Sequence, residues 1–249
     1  MVLYFILELR EGLYSLTRSI GIMQPYFLPY IGYFQLIASV DEFIIYDNIK
    51  YTKKGWINRN RLLQKGKGVA FTLPLLKASD SLNVVDRRLA EAYDRKKLLN
   101  KIRGYYSNAP HYASVFPLVE RIVAYDDNNL FRYIYNSVVE ICTYLSITTD
   151  ITVSSEVDID QNLKSQDRVL ALCKARGALT YINPSGGMDL YHPRAFQMEG
   201  MQLKFIKSHP LEYEQFGAKF VPWLSIVDVL MFNSQSKVED MVINGYELA

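Results

Sequence analysis

The chain has 249 residues, 49% hydrophobic and 22% charged, and 28 Lys and Arg against 26 Asp and Glu leave a net charge of +2. That balance excludes a disordered chain, allows one large α/β core, and removes any global electrostatic argument for nucleic acid or an anionic membrane. Two distant cysteines, Cys142 and Cys173, with no CxxC, exclude a disulfide framework and fit a reducing cytoplasm, and the scattered His111, His192 and His209 give no metal-ligand spacing. No metal site is expected. The 19 tyrosines each combine an apolar ring with a polar tip, which suits core edges and polar ligand sites alike.

Met1–Leu9 is apolar but interrupted at Glu8 and followed by Arg10 and Glu11. It is too short to span a bilayer and lacks a basic n-region, so residues 1–18 read as an extension and 19–249 as one domain. Ser19–Gln24 is a short apolar run ended by Pro25, a buried strand by pattern. Tyr30–Val40 follows Pro29 as a helix, and Asp41–Asp47 is a second apolar strand. Strand, helix and strand at this spacing make a βαβ unit and imply a parallel sheet.

Lys50–Gly68 is rich in Lys, Arg, Asn and Gly and reads as a surface loop with a short helix. Val69–Leu75 and Leu82–Arg88 alternate like strands, and Asp94–Tyr106, Tyr112–Ala124 and Leu130–Leu145 carry helical periodicity. Residues 69–145 therefore form a mostly helical insertion. Thr149–Ser155, Ala178–Asn183 and Met201–Ile206 resume the strand pattern. Between them Leu163–Arg176 is a helix closed by Gly177. Pro184–Gly187 reads as a tight loop, and Ser225–Phe232 as an apolar terminal helix. The expected fold is a Rossmann-like α/β domain of about five parallel strands, whose ligand lies beyond the strands' carboxyl ends. That rule selects the loops after Gln24, Asp47, Ser155 and Asn183.

Four constellations stand in or near those loops. In Gln24–Phe34, two prolines stiffen the chain and Gly32 permits close approach, with Gln24, Tyr26, Tyr30 and Tyr33 as polar contacts. In Asp47–Arg61, Arg59 and Arg61 can grip a phosphate or carboxylate, Asn58 and Asn60 add directional bonds, and Trp56 offers a flat face for a sugar or base. In the third, Ser185 and Gly186 can present backbone amides to an anion, although a plain connecting turn explains them as well. In the fourth, Ser225 caps the last helix, Asp228 stands three positions on as in a capping box, and Gln215 lies upstream. An acid inside an apolar helix needs a partner, for which an Arg or Lys is expected.

Taken together, IGIMQPYFLPYIGYFQLI, the D-x-x-x-Y-x-x-x-x-W-x-N-R stretch from Asp47 to Arg59, the Tyr181–Tyr191 segment and FVPWLSIVDVLM resemble the WbqC-like family. The resemblance runs from about Ile20 to Asn233 and implies a place among the proteins of O-antigen or related surface-sugar assembly. The loop and helix after the first strand are also similar in placement to the HxGH motif of nucleotidyltransferases, which implies a fold of that HUP-like type. Here Tyr30 and Tyr33 flank Gly32 where histidines would contact ATP phosphates, and this departure weighs against adenylyl transfer.

The implied reading is an enzyme joining an acyl or aminoacyl group to a nucleotide-linked amino sugar. In it Arg59 and Arg61 hold anionic groups, Gln24, Asn58 and Tyr33 orient the substrate, and Asp228 and Asp47 are the catalytic carboxylates. The alternative is a non-catalytic sugar- or nucleotide-binding accessory protein. ATP is the candidate cofactor. The expected partners are a nucleotide sugar or an activated acyl donor, with a second copy of the chain as a further candidate. Neither nucleic acid nor an integral membrane segment is expected.

Overall fold

The computed structural model describes residues 18–217 and 219–249, so the extension expected over 1–18 lies outside them except for Arg18. Arg18 itself is bonded to the sheet, its carbonyl accepting from the amides of Leu179 and Thr180. Six strands form one sheet: β1 (Ser19–Met23), β2 (Glu42–Ile45), β5 (Asp150–Val153), β6 (Thr180–Pro184), β7 (Gln202–Ser208) and β8 (Tyr246–Leu248). Their spatial order is β5-β2-β1-β6-β7-β8, parallel throughout except for the antiparallel β7–β8 pair. The order reverses between β1 and β6, and this switch point fixes where a ligand crevice opens.

The sheet is covered on both faces, as a parallel sheet must be. Alternation assigns the faces: Ile20, Ile22, Ile44 and Tyr181 pack with Leu172 and Cys173, while Phe43, Ile45 and Ile182 join the larger core. Leu172 and Cys173 belong to helix α5 (Ser165–Ala175), and the larger core takes in Phe34 and Leu36 of α1 (Ile31–Ala38). Gly21 lets α1 approach: a Cβ there would sit 3.2 Å from a Leu36 methyl.

Between β2 and β5 the chain forms an antiparallel hairpin, β3 (Arg59–Gln64) with β4 (Lys67–Thr72), then α2 (Arg95–Tyr106), α3 (Tyr112–Ala124) and α4 (Leu130–Tyr144). The hairpin corrects the expectation of a loop with a short helix over Lys50–Gly68. Arg59, Asn60, Arg61 and Gln64 mask a strand whose only apolar residues are Leu62 and Leu63, one on each face. The strand expected over Leu82–Arg88 is a 3₁₀ turn, Val84–Asp86, held by isolated bridges on either side. The loop expected at Pro184–Gly187 opens a 3₁₀ helix, Ser185–Leu190. Past it lie α6 (Pro193–Met198), α7 (Ile226–Phe232) and α8 (Gln235–Asn244). Among the described residues no helix is long and apolar enough to cross a membrane.

Candidate functional site

Parallel pairing sets the carboxyl ends of β1, β2, β5 and β6 along one edge, with Gln24, Asp47, Ser154 and Asn183 at or just past their ends. Beside the switch point, the Gln24–Tyr30 loop forms one wall of a cleft of about 370 Å³. Tyr26, Pro29, Tyr30, Trp56, Asn60, Arg61 and Trp223 line it. Four of the sequence-predicted residues, Tyr26, Tyr30, Trp56 and Arg61, therefore meet in one concavity. The two tryptophans of the chain both stand in it, 47% and 67% exposed for Trp56 and Trp223.

Buried polar side chains fasten the walls. The Leu28 carbonyl accepts from Asn60 Nδ2 at 2.6 Å and from Ser225 Oγ at 2.8 Å, which joins the first loop to β3 and to the start of α7. Leu28 takes a left-handed φ of 46° to present that carbonyl, a strained conformation for a branched side chain. The backbone continues the seam, with Ile226 N donating to the Pro29 carbonyl and Phe27 N to that of Ile57. Trp223 is also left-handed, at φ 60°, and its carbonyl accepts from Arg61 Nη2 at 2.9 Å. The Tyr30 ring meets the Trp223 ring edge-on at 5.8 Å. Gly32 makes room for that ring, since a Cβ there would overlap it.

The other predicted residues support the walls. Gln24 Oε1 accepts from the Tyr26 hydroxyl at 3.3 Å, and the buried Tyr33 donates to the Gln24 carbonyl at 3.0 Å. Asn58 is buried between the Tyr51 hydroxyl and the Leu73 carbonyl. Arg59 stacks on Trp56 with its guanidinium carbon 5.2 Å from the ring centre and donates to the Lys54 carbonyl. Ser225 caps α7 as expected, accepting from Val227 N. Ser185 and Gly186 do not line the cleft, and it is Gly187 rather than Gly186 whose missing Cβ matters, because the Asn183 amide occupies that space.

The two carboxylates are both internal. Asp47 is buried and clamps the end of β5, accepting from Ser154 Oγ, Ser155 N and Ser155 Oγ. Asp228 has no exposed surface and accepts from Tyr106 at 2.8 Å, Tyr213 at 2.7 Å and Gln215 Nε2 at 2.7 Å. Burial pushes its pKa above the usual carboxylate range, against the lowering pull of those three donors. The basic partner expected for Asp228 is thus replaced by neutral donors. The capping box does not form either, because the Ser225 amide donates to the Arg61 carbonyl instead.

The cleft can hold a flat or ring-shaped ligand between aromatic faces, with the Arg61 guanidinium at its wall. Burial raises the phenols of Tyr26 and Tyr30, so both hydroxyls are neutral at physiological pH and can donate or accept. Burial likewise pushes the Cys142 and Cys173 thiols up to about 12, which leaves neither as a nucleophile. Asn60, expected to make directional bonds, lines the cleft as well, whereas Pro29 and Trp223 were legible only as parts of motifs. The signal for Trp223 was its rarity, a second tryptophan just before the Ser225 cap.

The fold is α/β, a mostly parallel six-stranded sheet covered on both faces, with an aromatic-lined cleft beside the loop that follows β1. The chain belongs to the WbqC-like protein family, which it matches over residues 24–240. It is also similar to an uncharacterized protein of Mycobacterium tuberculosis, Rv1507c, with 28% identity over 230 residues that cover 90% of this chain and 96% of that one. No solved structure matches it.

Proposed function

We propose that the cleft holds a nucleotide-linked amino sugar during the assembly of a surface polysaccharide such as O-antigen, and that the reaction served is acyl or aminoacyl transfer to the sugar's amine. The observation that carries the reading is the convergence of Tyr26, Tyr30, Trp56 and Trp223 around Arg61 at the switch point. A sugar or base ring stacks on such faces, and a guanidinium answers the phosphates. The fold's strand order is consistent with a nucleotidyltransferase-like, HUP-type ancestry, and the family resemblance supplies the sugar setting.

One observation favours the accessory reading, in which the protein binds without turnover. Asp47 and Asp228, the carboxylates expected to act as catalysts, are engaged by three hydrogen bonds each within the fold. In this arrangement both are positioning residues: Asp228 holds the 213–215 segment against α2, and Asp47 joins β2 to β5. Any catalysis at the cleft comes from orienting the two reactants rather than from a side-chain base.

Tryptophan fluorescence tests the binding directly, because the cleft contains both indoles. Titration with nucleotide amino sugars is expected to give a saturable change, and mass spectrometry of mixtures with ATP and acyl or amino acid donors then separates enzyme from accessory protein. A flat fluorescence response to every nucleotide sugar would sink the proposal.

A further inference from the structure

A second hollow, of about 510 Å³, opens between the Tyr51–Asn58 segment and the loop that follows β4. Its lining includes Arg87, Lys53, Lys77, Tyr51, Asn58 and Asp80. Arg87 is only 5% exposed, yet it pairs with no carboxylate among the described residues. Its Nη1 donates to the Ser79 carbonyl at 2.9 Å, its Nε has no partner, and its Nη2 donates to no acceptor among the described residues. A buried cation without a counter-anion is an unfavourable arrangement unless something else supplies the charge.

The guanidinium is also held in place. Its carbon lies 4.6 Å from the centre of the Tyr51 ring. The Tyr51 hydroxyl donates to Asn58, whose amide is bonded in turn to the Leu73 carbonyl. Arg168 is the instructive contrast. It too is buried, stacked on a tyrosine and without a carboxylate, but both its terminal nitrogens are bonded to Gln161. At Arg87 that inner acceptor is missing for Nη2.

The rim carries two lysines, Lys53 and Lys77, against one acid, Asp80. Asp80, exposed beside the hollow, is engaged by Lys53 at 2.9 Å. That hydrogen bond holds its carboxyl below the usual pKa, with the charges of Arg87 and Lys50 adding to the effect. Lys77 lines the same hollow with no carboxylate partner among the described residues.

We infer that this hollow is a binding site for an anionic oxygen group, a phosphate or a carboxylate, gripped by the Arg87 guanidinium with Lys53 and Lys77 at its mouth. The inference does not depend on what occupies the aromatic cleft. A planar fork fits either anion through parallel hydrogen bonds. The volume exceeds that of the bare ion, so the natural ligand carries the anion on a larger body.

The test uses the full chain with inorganic phosphate, pyrophosphate and malonate as probes, against potassium chloride at matched ionic strength. Thermal stabilisation is followed together with ³¹P line broadening. A saturable response to phosphate or pyrophosphate identifies a phosphoryl ligand, and one to malonate a carboxylate. Either supports the site, whereas a response no larger than that to chloride overturns it.

Replacing both exposed lysines, Lys53→Gln with Lys77→Gln, is expected to weaken the anion about tenfold without unfolding the chain. Arg87→Met, which keeps an apolar stem over Tyr51, is expected to abolish binding. Unchanged affinity in the double lysine variant, or in a folded Arg87→Met protein, would also overturn the inference. Nucleotide-sugar titration by tryptophan fluorescence stays as a separate readout, so failure here and failure of the cleft are distinguished.

Discussion

The two ends of the parallel sheet treat buried acids in opposite ways. At the amino-terminal end Glu42 begins β2, buried, with Arg18 at 2.5 Å, Arg176 at 2.7 Å and Thr152 at 2.7 Å. Toward the carboxyl end Asp47 and Asp228 are buried just as deeply, but every donor that reaches them is neutral. The consequence concerns the arginines. At the amino end the cations are matched inside the fold. Around the cleft and the second hollow Arg59, Arg61 and Arg87 have no carboxylate partner among the described residues. Positive charge from these three arginines is thus unmatched by carboxylates inside the fold, as both proposed sites require, while the acids at that end hold the scaffold.

Removing Asp228 breaks this comparison hardest. Asp228→Ala leaves Tyr106, Tyr213 and Gln215 without their buried acceptor, and a loss of about 3–5 kcal/mol is expected in urea denaturation. Asp228→Asn keeps one acceptor oxygen and is expected to lose about 1–2 kcal/mol. A small loss for Asp228→Ala, with intact binding at the cleft, would show that the hub is dispensable. Glu42→Gln is expected to fall lower, at about 1–2 kcal/mol, because Arg18 and Arg176 are each 38% exposed and can turn to solvent.

The pH dependence sharpens the same contrast through its sign. Burial raises the Glu42 pKa, but the hydrogen bonds from Thr152, Arg18 and Arg176 outweigh it and hold the folded value below the ordinary 4.5. Its contribution is therefore fully present above 4.5 and is lost as pH falls through the depressed folded value. Asp228 runs the other way. Its folded pKa lies above the ordinary 3.8, so its charged form carries a penalty at neutral pH that is relieved as pH falls through the raised value and is gone below 3.8. Melting temperatures across the acid range are expected to drop less steeply in Glu42→Gln than in the parent chain. In Asp228→Asn they are expected to drop more steeply, because the compensating gain is absent. Parallel curves for all three proteins would refute the assignment.

The sheet was legible because its strands are short apolar runs punctuated by proline and glycine. All five expected parallel strands appear, within a few residues of their expected limits. β8 went unread because Tyr246–Leu248 is three residues long and gains strand character only by pairing with β7. β3 was hidden by its polar composition, since Asn60 is buried by a long-range bond to Leu28 that no local pattern encodes. The site divides along the same line. Of the aromatic residues marked in stiff loops, Tyr26, Tyr30 and Trp56 line the cleft, while Tyr33 is buried beneath it. The polar residues marked beside them, Asn58, Gln215, Ser225, Asp47 and Asp228, are bonded inward. A sequence shows that a polar side chain needs a partner, but the identity of that partner depends on which distant segment folds against it.

The smallest effect on stability, and the largest on the proposed role, belongs to the tryptophans. Trp56 and Trp223 are 47% and 67% exposed, so truncating either removes only part of an indole's buried area, and Trp56→Ala and Trp223→Ala are expected to lose about 1 kcal/mol in denaturation. Trp223 adds one complication. Its φ of 60° strains a bulky residue, and alanine at the same φ does not relieve that strain, whereas Trp223→Gly does. The glycine variant is therefore expected to be as stable as the alanine one or slightly more so. If stacking on these rings holds the ligand, each truncation weakens binding by about 1–3 kcal/mol, roughly 5-fold to 150-fold, as base–aromatic stacking does elsewhere. The remaining indole reports the titration in each single variant. Unchanged affinity in both alanine variants would mean that the exposed rings serve some other contact, and that the arginines near the cleft act without an aromatic platform.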